Sequence, residues 1–348
     1  YGMAEGTLGN DKVAWEIAHK ADLGLEMKAF NNHLNLTADV FQEKRDNILV
    51  IRGDIPQISG LTSSQIPAMN LGKVTNKGYE IAVSYNNNIG DFGYTAGINY
   101  TYAHNNIDYI AEVQKQHAYQ MRVNHPIGQT FGYVWTGKFY DYPDLTNPDV
   151  PKPEGTIYAG DLMFKDINGD KKIDDQDRTA IGYPTMPEVM VGITLDLSYK
   201  NFYLNTFWQG ATNTSVSFGA AMRYEFTPNV YSIHLGRWVY DEARGLDTRA
   251  TATYPSLHFP SSPQTKTMST FNLLNGEYIR LKNVEFGYNF PKSIAQKLKF
   301  SELRVYIAGS NLLTFDHLKY VDPEYTSGGA GNTYPQTKFY AAGLYITF

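Results

Sequence analysis

Residues 166–177 read DINGDKKIDDQD, with oxygen-bearing side chains at the first, third, fifth, ninth and twelfth positions. A hard divalent cation takes six to eight oxygen ligands, and one short segment wraps it only if alternate residues point inward. Asp166, Asn168, Asp170, Asp174 and Asp177 would supply side-chain oxygens and Lys172 its backbone carbonyl. The sixth position, where the sharp turn favours glycine, is Lys171, and the twelfth is Asp instead of the longer Glu. The flanks TIYAGDLMF and VMVGITLDLSY favour extended structure, so this is not a calcium-sensing helix pair. Two readings stay open: a loop clipped by structural Ca2+, or a metal-free turn rich in Asp, Asn and Gly.

Other chemistry-bearing residues are sparser. Tyr133, Trp135, Trp208 and Trp238 could stack on sugar rings, with Trp238 in HLGRWVYDEARG the best placed to meet a ligand or a lid. The alternative for each is packing, or an interfacial girdle of the sort that enriches Tyr and Trp in membrane proteins. The eight histidines are scattered without zinc spacing, and no GxSxG, P-loop or dinucleotide fingerprint occurs. The chain contains no cysteine, which excludes disulfides and thiolate metal sites. A net charge of −5 and scattered basic residues give no nucleic-acid footprint. The reading is of a protein that is not an enzyme.

The elements that must position these residues are strands. HLNLTADVF sets Leu34, Leu36, Ala38 and Val40 against Asn35, Thr37 and Asp39. DFGYTAGINYTY, EVMVGITLDLSY and KFYAAGLYITF repeat the alternation over ten residues or more, with aromatics near the ends. Soluble sandwich strands usually run about five or six residues, whereas membrane barrel strands are long, alternate throughout and carry aromatic girdles. The expected fold class is therefore all-β, an antiparallel transmembrane β-barrel. Short turns at 30–32, 86–91, 199–201 and 291–300 alternate with long polar segments at 45–70, 103–186, 212–270 and 316–334. That asymmetry places the short turns at the periplasmic rim and the long loops, the 166–177 loop among them, outside the cell. Nine strands are expected, and QTFGYVWTGKFY and EGTIYAGDLMF offer two further extended runs inside the longest loop. In EYIRLKNVEF, Arg280 and Lys282 share a face with Val284 and Phe286, which directs them toward headgroup or lipopolysaccharide phosphates.

Several segments together resemble the SusC/RagA-type TonB-dependent outer-membrane transporters. They are GDLMFKDINGDKKIDDQDRTAIGYPTMPEVMVGITLDLSYKNFYLNTFWQG (160–210), NGEYIRLKNVEFGYNFP (275–291), RVYIAGSNLLTF (304–315), KYVDPEY (319–325) and NLGKVTNKGYEIAVSYNNNIGDF (70–92). The resemblance implies that residues 1–348 are the C-terminal part of a barrel of about 22 strands, with the plug domain and TonB box outside this sequence. It implies import of a nutrient, a glycan or a peptide, captured with a SusD-like surface lipoprotein and powered by TonB–ExbB–ExbD. It places the protein in the outer membrane of a Gram-negative, Bacteroidota-type cell, among lipid and lipopolysaccharide. Lys171 stands where the family commonly has glycine. Two other classes fit the residues: a secreted or surface-anchored β-rich binding or adhesion protein whose 166–177 loop acts as a dockerin-like calcium contact, and a passive porin.

Overall fold

The computed structural model describes residues 6–348 apart from 56–57, 59, 61, 63, 224–229, 260–262 and 326–335. Nine antiparallel strands form one sheet in chain order: β1 (Ile17–Ala29), β2 (Leu34–Ile51), β3 (Ala68–Ile89), β4 (Phe92–Tyr109), β5 (Val189–Tyr199), β6 (Phe202–Thr212), β7 (Tyr278–Asn289), β8 (Glu302–Asp316) and β9 (Phe339–Thr347). No helix among the described residues is long and apolar enough to cross a membrane.

Register follows the hydrophobic alternation. Leu25 pairs with Ala38, Ala38 with Ile81, Ile81 with Tyr100, and Tyr100 with Val191. Farther along, Leu197 pairs with Leu204, Leu204 with Phe286, Phe286 with Ile307, and Ile307 with Ala342. Because directly paired residues point to the same face, this builds one continuous apolar surface, the lipid-facing side of a membrane wall. The opposite face carries Thr37, Asp39, Glu80, Thr95, Asp196, Asn205 and Glu285, the side that looks into a water-filled lumen.

One end of the wall closes with tight turns. Gly90–Asp91 and Lys200–Asn201 are two-residue connections, with Gly90 and Lys200 left-handed as hairpins of this length require. β3 thus continues through Ile89, beyond the expected turn boundary at 86. The other connections at this end are Phe30–His33 and the helical turn Lys292–Lys297. At the far end the strands also overrun their expected limits, β2 reaching Ile51, β3 starting at Ala68 and β4 running to Tyr109. Residues 326–334 of the last expected loop lie outside the described residues.

The apolar core lies in the connections at that far end. Leu162, Phe164, Ile173, Phe218, Met222, Ile233, Tyr254 and Phe271 pack together, drawn from two connections, and Tyr320 and Val321 of a third pack against them. The loops therefore form a cap with an interior of its own. The two extra extended runs belong to this cap. Trp135–Phe139 pairs with Leu162–Phe164, and Thr130–Gly132 with Thr179–Ile181, so neither adds a strand to the wall.

Candidate functional site

The 166–177 loop hangs on the cap. Ile173 anchors it in the apolar cluster, and Lys172–Ile173 pairs with Lys152–Pro153. Its side chains form successive turns with its own backbone. Asp166 accepts from the amides of Gly169 (2.6 Å) and Lys171 (2.8 Å), Asn168 from Asp170 (3.1 Å), and Asp170 from Lys172 (2.8 Å). Asp174 accepts from Gln176 (2.7 Å), and the fully buried Asp177 closes the loop by accepting from Ile167 (2.7 Å) and Asp174 (2.9 Å). Lys171, at the sixth position, adopts φ +66°, the left-handed geometry that glycine otherwise supplies there. Its ammonium pairs with Asp149 at 2.7 Å.

The fit to a cation divides. Among the described residues, no group of three or more His, Asp or Glu side chains converges as metal ligands do. The loop's negative charge is felt next door. The Tyr119 hydroxyl, which donates to the Gln176 carbonyl at 2.7 Å, has its pKa raised by burial first, and then by the charges of Asp177, Asp166, Asp170 and Asp174.

The aromatic candidates are occupied by packing. Trp238 is 5% exposed, set beside Gly160 and Tyr142, so the best-placed sugar platform of the sequence reading is instead part of the cap interior. Tyr133 stacks on Phe164 with ring centroids 5.0 Å apart. Trp135 meets Phe271 edge-on, and its indole N–H donates to the Lys138 carbonyl at 2.8 Å. Trp208 sits in the lipid-facing row between Ile193 and Leu281. The structure brings Tyr133 and Trp135 together in the cap and leaves Trp208 apart on the wall.

Arg280 corrects the sequence reading most sharply. The pairing slips between Leu281 and Asn283, so Lys282 is a bulge. One extra residue flips every side chain beyond it, which puts Ile279 and Leu281 on the lipid side and Arg280 on the lumenal side opposite Gln209. There Arg280, 2% exposed, reaches no headgroup. Its guanidinium binds Asp322 (2.6 Å), Glu324 and Thr314 (2.8 Å), while Lys282 also holds Glu324 (2.5 Å). The Tyr278 hydroxyl donates to Glu324 at 3.2 Å. This network draws the 319–325 segment onto the lumenal wall.

Sequence reasoning missed a cleft of 470 Å3 on the lumenal face at the cap end of β1–β4. Glu43 and Asn76, which are paired across β2 and β3, and Asn105 form its wall side. Ile127 and Met186 from the longest connection form the other, and the Ile127 amide donates to the Asn105 side chain at 2.7 Å. The only sequence signal is the run of prolines and aliphatics in HPIG and PTMPE, which reads as ordinary loop.

Solved structures share this architecture. The RagAB peptide transporter superposes with a TM-score of 0.73 at 22% identity, over all of this chain and 37% of that one. TonB-dependent receptor P3 of Formosa agariphila is 29% identical over 97% of this chain and 35% of its own length. TonB-dependent receptor SusC of Bacteroides thetaiotaomicron is 25% identical over 97% of this chain and 32% of its own. The chain thus spans about a third of the relatives it matches. The family model described as TonB dependent receptor-like, beta-barrel, matches residues 1–312, and the chain belongs to that family.

Proposed function

We propose that this chain is the C-terminal part of a TonB-dependent outer-membrane importer of the SusC/RagA type, taking up a peptide or glycan nutrient with a SusD-like surface lipoprotein. The observation that carries the reading is the two-faced wall: nine strands, one face apolar along the rows from Leu25 to Ala342 and the other mainly polar, capped at one end by folded loops. β1 and β9 are the sheet's edges among the described residues. Backbone groups cannot stay unpaired in lipid, so further strands of a longer protein complete the barrel. The plug domain and the TonB box belong to that remainder, and TonB–ExbB–ExbD would act through it. The relatives' names support transport over catalysis, and their organisms support a Bacteroidota-type outer membrane surrounded by lipid and lipopolysaccharide. The cap, with the connection after β4, residues 110–188, as its largest part, faces outward. Uptake of labelled peptides and oligosaccharides, compared between cells with and without a working TonB, tests this. Import that vanishes without TonB is expected; import at an unchanged rate indicates a passive porin.

Calcium is the second element of the proposal. Asp166, Asn168, Asp170, Asp174, Asp177 and the Lys172 carbonyl would hold the ion, which would relieve the mutual repulsion of four carboxylates. The support is the spacing of these side chains and the left-handed Lys171, which makes the sharp turn such a loop needs. Extracellular calcium is millimolar, enough to fill even a weak site. Limited proteolysis of residues 160–182 should accelerate in excess chelator and recover with calcium; cleavage at one rate in both would remove the ion from the account.

A further inference from the structure

The lumenal face is polar along the strands, but the cleft at its cap end is not. Ile48, Val74, Ile127 and Met186 line it, with Pro126, Pro184 and Pro187 stiffening the loop side. Met186 is 76% exposed and Ile127 56% within this chain, so these aliphatic groups are not folded into the cap core. Covering them with a ligand's apolar group would be favourable.

The polar lining has a sign. Glu16, Glu43 and Glu188 face a single guanidinium, Arg45. Arg45 is shared by Glu16 (2.9 Å) and Glu43 (2.5 Å), with Lys20 adding a weaker contact to Glu43 at 3.3 Å. Glu188 is held by His104 (2.6 Å) and Asn213 (3.0 Å). Three carboxylates, Glu16, Glu43 and Glu188, against two cations, Arg45 and the neighbouring Lys20, leave one negative charge in excess, which favours a ligand cation. The volume, 470 Å3, lies within the usual span of small-ligand sites.

No aromatic ring lines the cleft, and Tyr133, Trp135, Trp208 and Trp238 are engaged elsewhere, in the cap or on the lipid side. A pyranose would find neither a flat platform nor a ring of free hydrogen-bonding groups. We propose that this cleft is a cargo subsite for a peptide carrying an aliphatic side chain beside a cationic group, a lysine, an arginine or a free amino terminus. This rests on the import reading above and selects peptide over glycan within it.

The test uses the purified full-length transporter in detergent, titrated calorimetrically with Ala-Lys-Leu-Leu-Ala, Ala-Glu-Leu-Leu-Ala, Ala-Lys-Ser-Ser-Ala and maltopentaose. The lysine–leucine peptide should bind at least about tenfold more tightly than the other three, on the scale set by one or two apolar contacts. Met186→Ser should remove most of that advantage. Glu16→Gln, at a half-exposed position, should narrow the gap between the lysine and glutamate peptides. Equal binding of the two peptides, or wild-type affinity in Met186→Ser, overturns the subsite. TonB-dependent uptake by cells separates the two failures. Import that continues in Met186→Ser at the wild-type rate sinks only the subsite, whereas no import of peptide or sugar by the wild type sinks the transport reading itself.

Discussion

Replacing Arg280 with methionine keeps the stem of the side chain and deletes the charge that ties residues 319–325 to the wall. Removing one partner of a buried ion pair costs about 3–5 kcal/mol, because the other is left charged and dry. Here the lower figure applies. Glu324 keeps Lys282 and the Tyr278 hydroxyl, while Asp322 retains only the Glu324 amide, at 2.9 Å. About 3 kcal/mol corresponds to roughly two orders of magnitude in the population of the open segment. Hydrogen exchange of the full-length protein reads that directly, since the Glu324 and Tyr325 amides bond to Asp322 and exchange only when the segment opens. Their exchange should quicken about a hundredfold in Arg280→Met, on the same 3 kcal/mol, with β7 and β8 unchanged. Arg280→Lys should fall between, because one ammonium cannot span both carboxylates as the planar fork does. Unaltered exchange at residues 324–325 would refute the anchoring role.

Trp208→Arg should impair barrel folding by up to about 2 kcal/mol, the cost of a charge on the lipid face toward one interface. Asn205→Arg, on the lumenal row of the same strand, should be tolerated; heat-modifiable electrophoretic mobility of the two barrels checks the face assignment. His234 is buried in the cap, its Nδ1 accepting the Tyr231 amide at 3.0 Å and its ring edge-on to Tyr254 at 4.7 Å. Burial holds its pKa below the ordinary 6.5, so the unfolded chain binds the proton more readily. Cap stability is then complete above about pH 6.5 and declines as pH falls toward the lowered value. Acid titration followed by tryptophan fluorescence should show this loss, and His234→Gln should flatten it.

The wall was legible because its code is local. A period of two over ten or more residues needs no partner to be recognised, and the paired rows from Leu25 to Ala342 follow from it. The bulge was legible too, but only to a reader who lets the period break. Ile279 and Leu281 are two apart, as are Val284 and Phe286, yet Leu281 and Val284 are three apart, and the slip at Lys282 is written in that gap. Treating EYIRLKNVEF as one unbroken strand sent Arg280 to the wrong face of the wall. β8 carries the matching irregularity, with Asn311 left-handed opposite the slip. The cap was not legible, because its core gathers single residues such as Leu162, Phe218, Tyr254 and Phe271 from segments far apart in sequence. No local period marks such a cluster, and each member looks like an isolated apolar residue in a polar loop. Trp238 shows the consequence: a tryptophan in a long connection reads as exposed and available until the neighbours that bury it are known. Binding surface in this family of walls is therefore better sought where aliphatic side chains remain uncovered on the lumenal side, as at Ile127 and Met186, than from aromatic content alone.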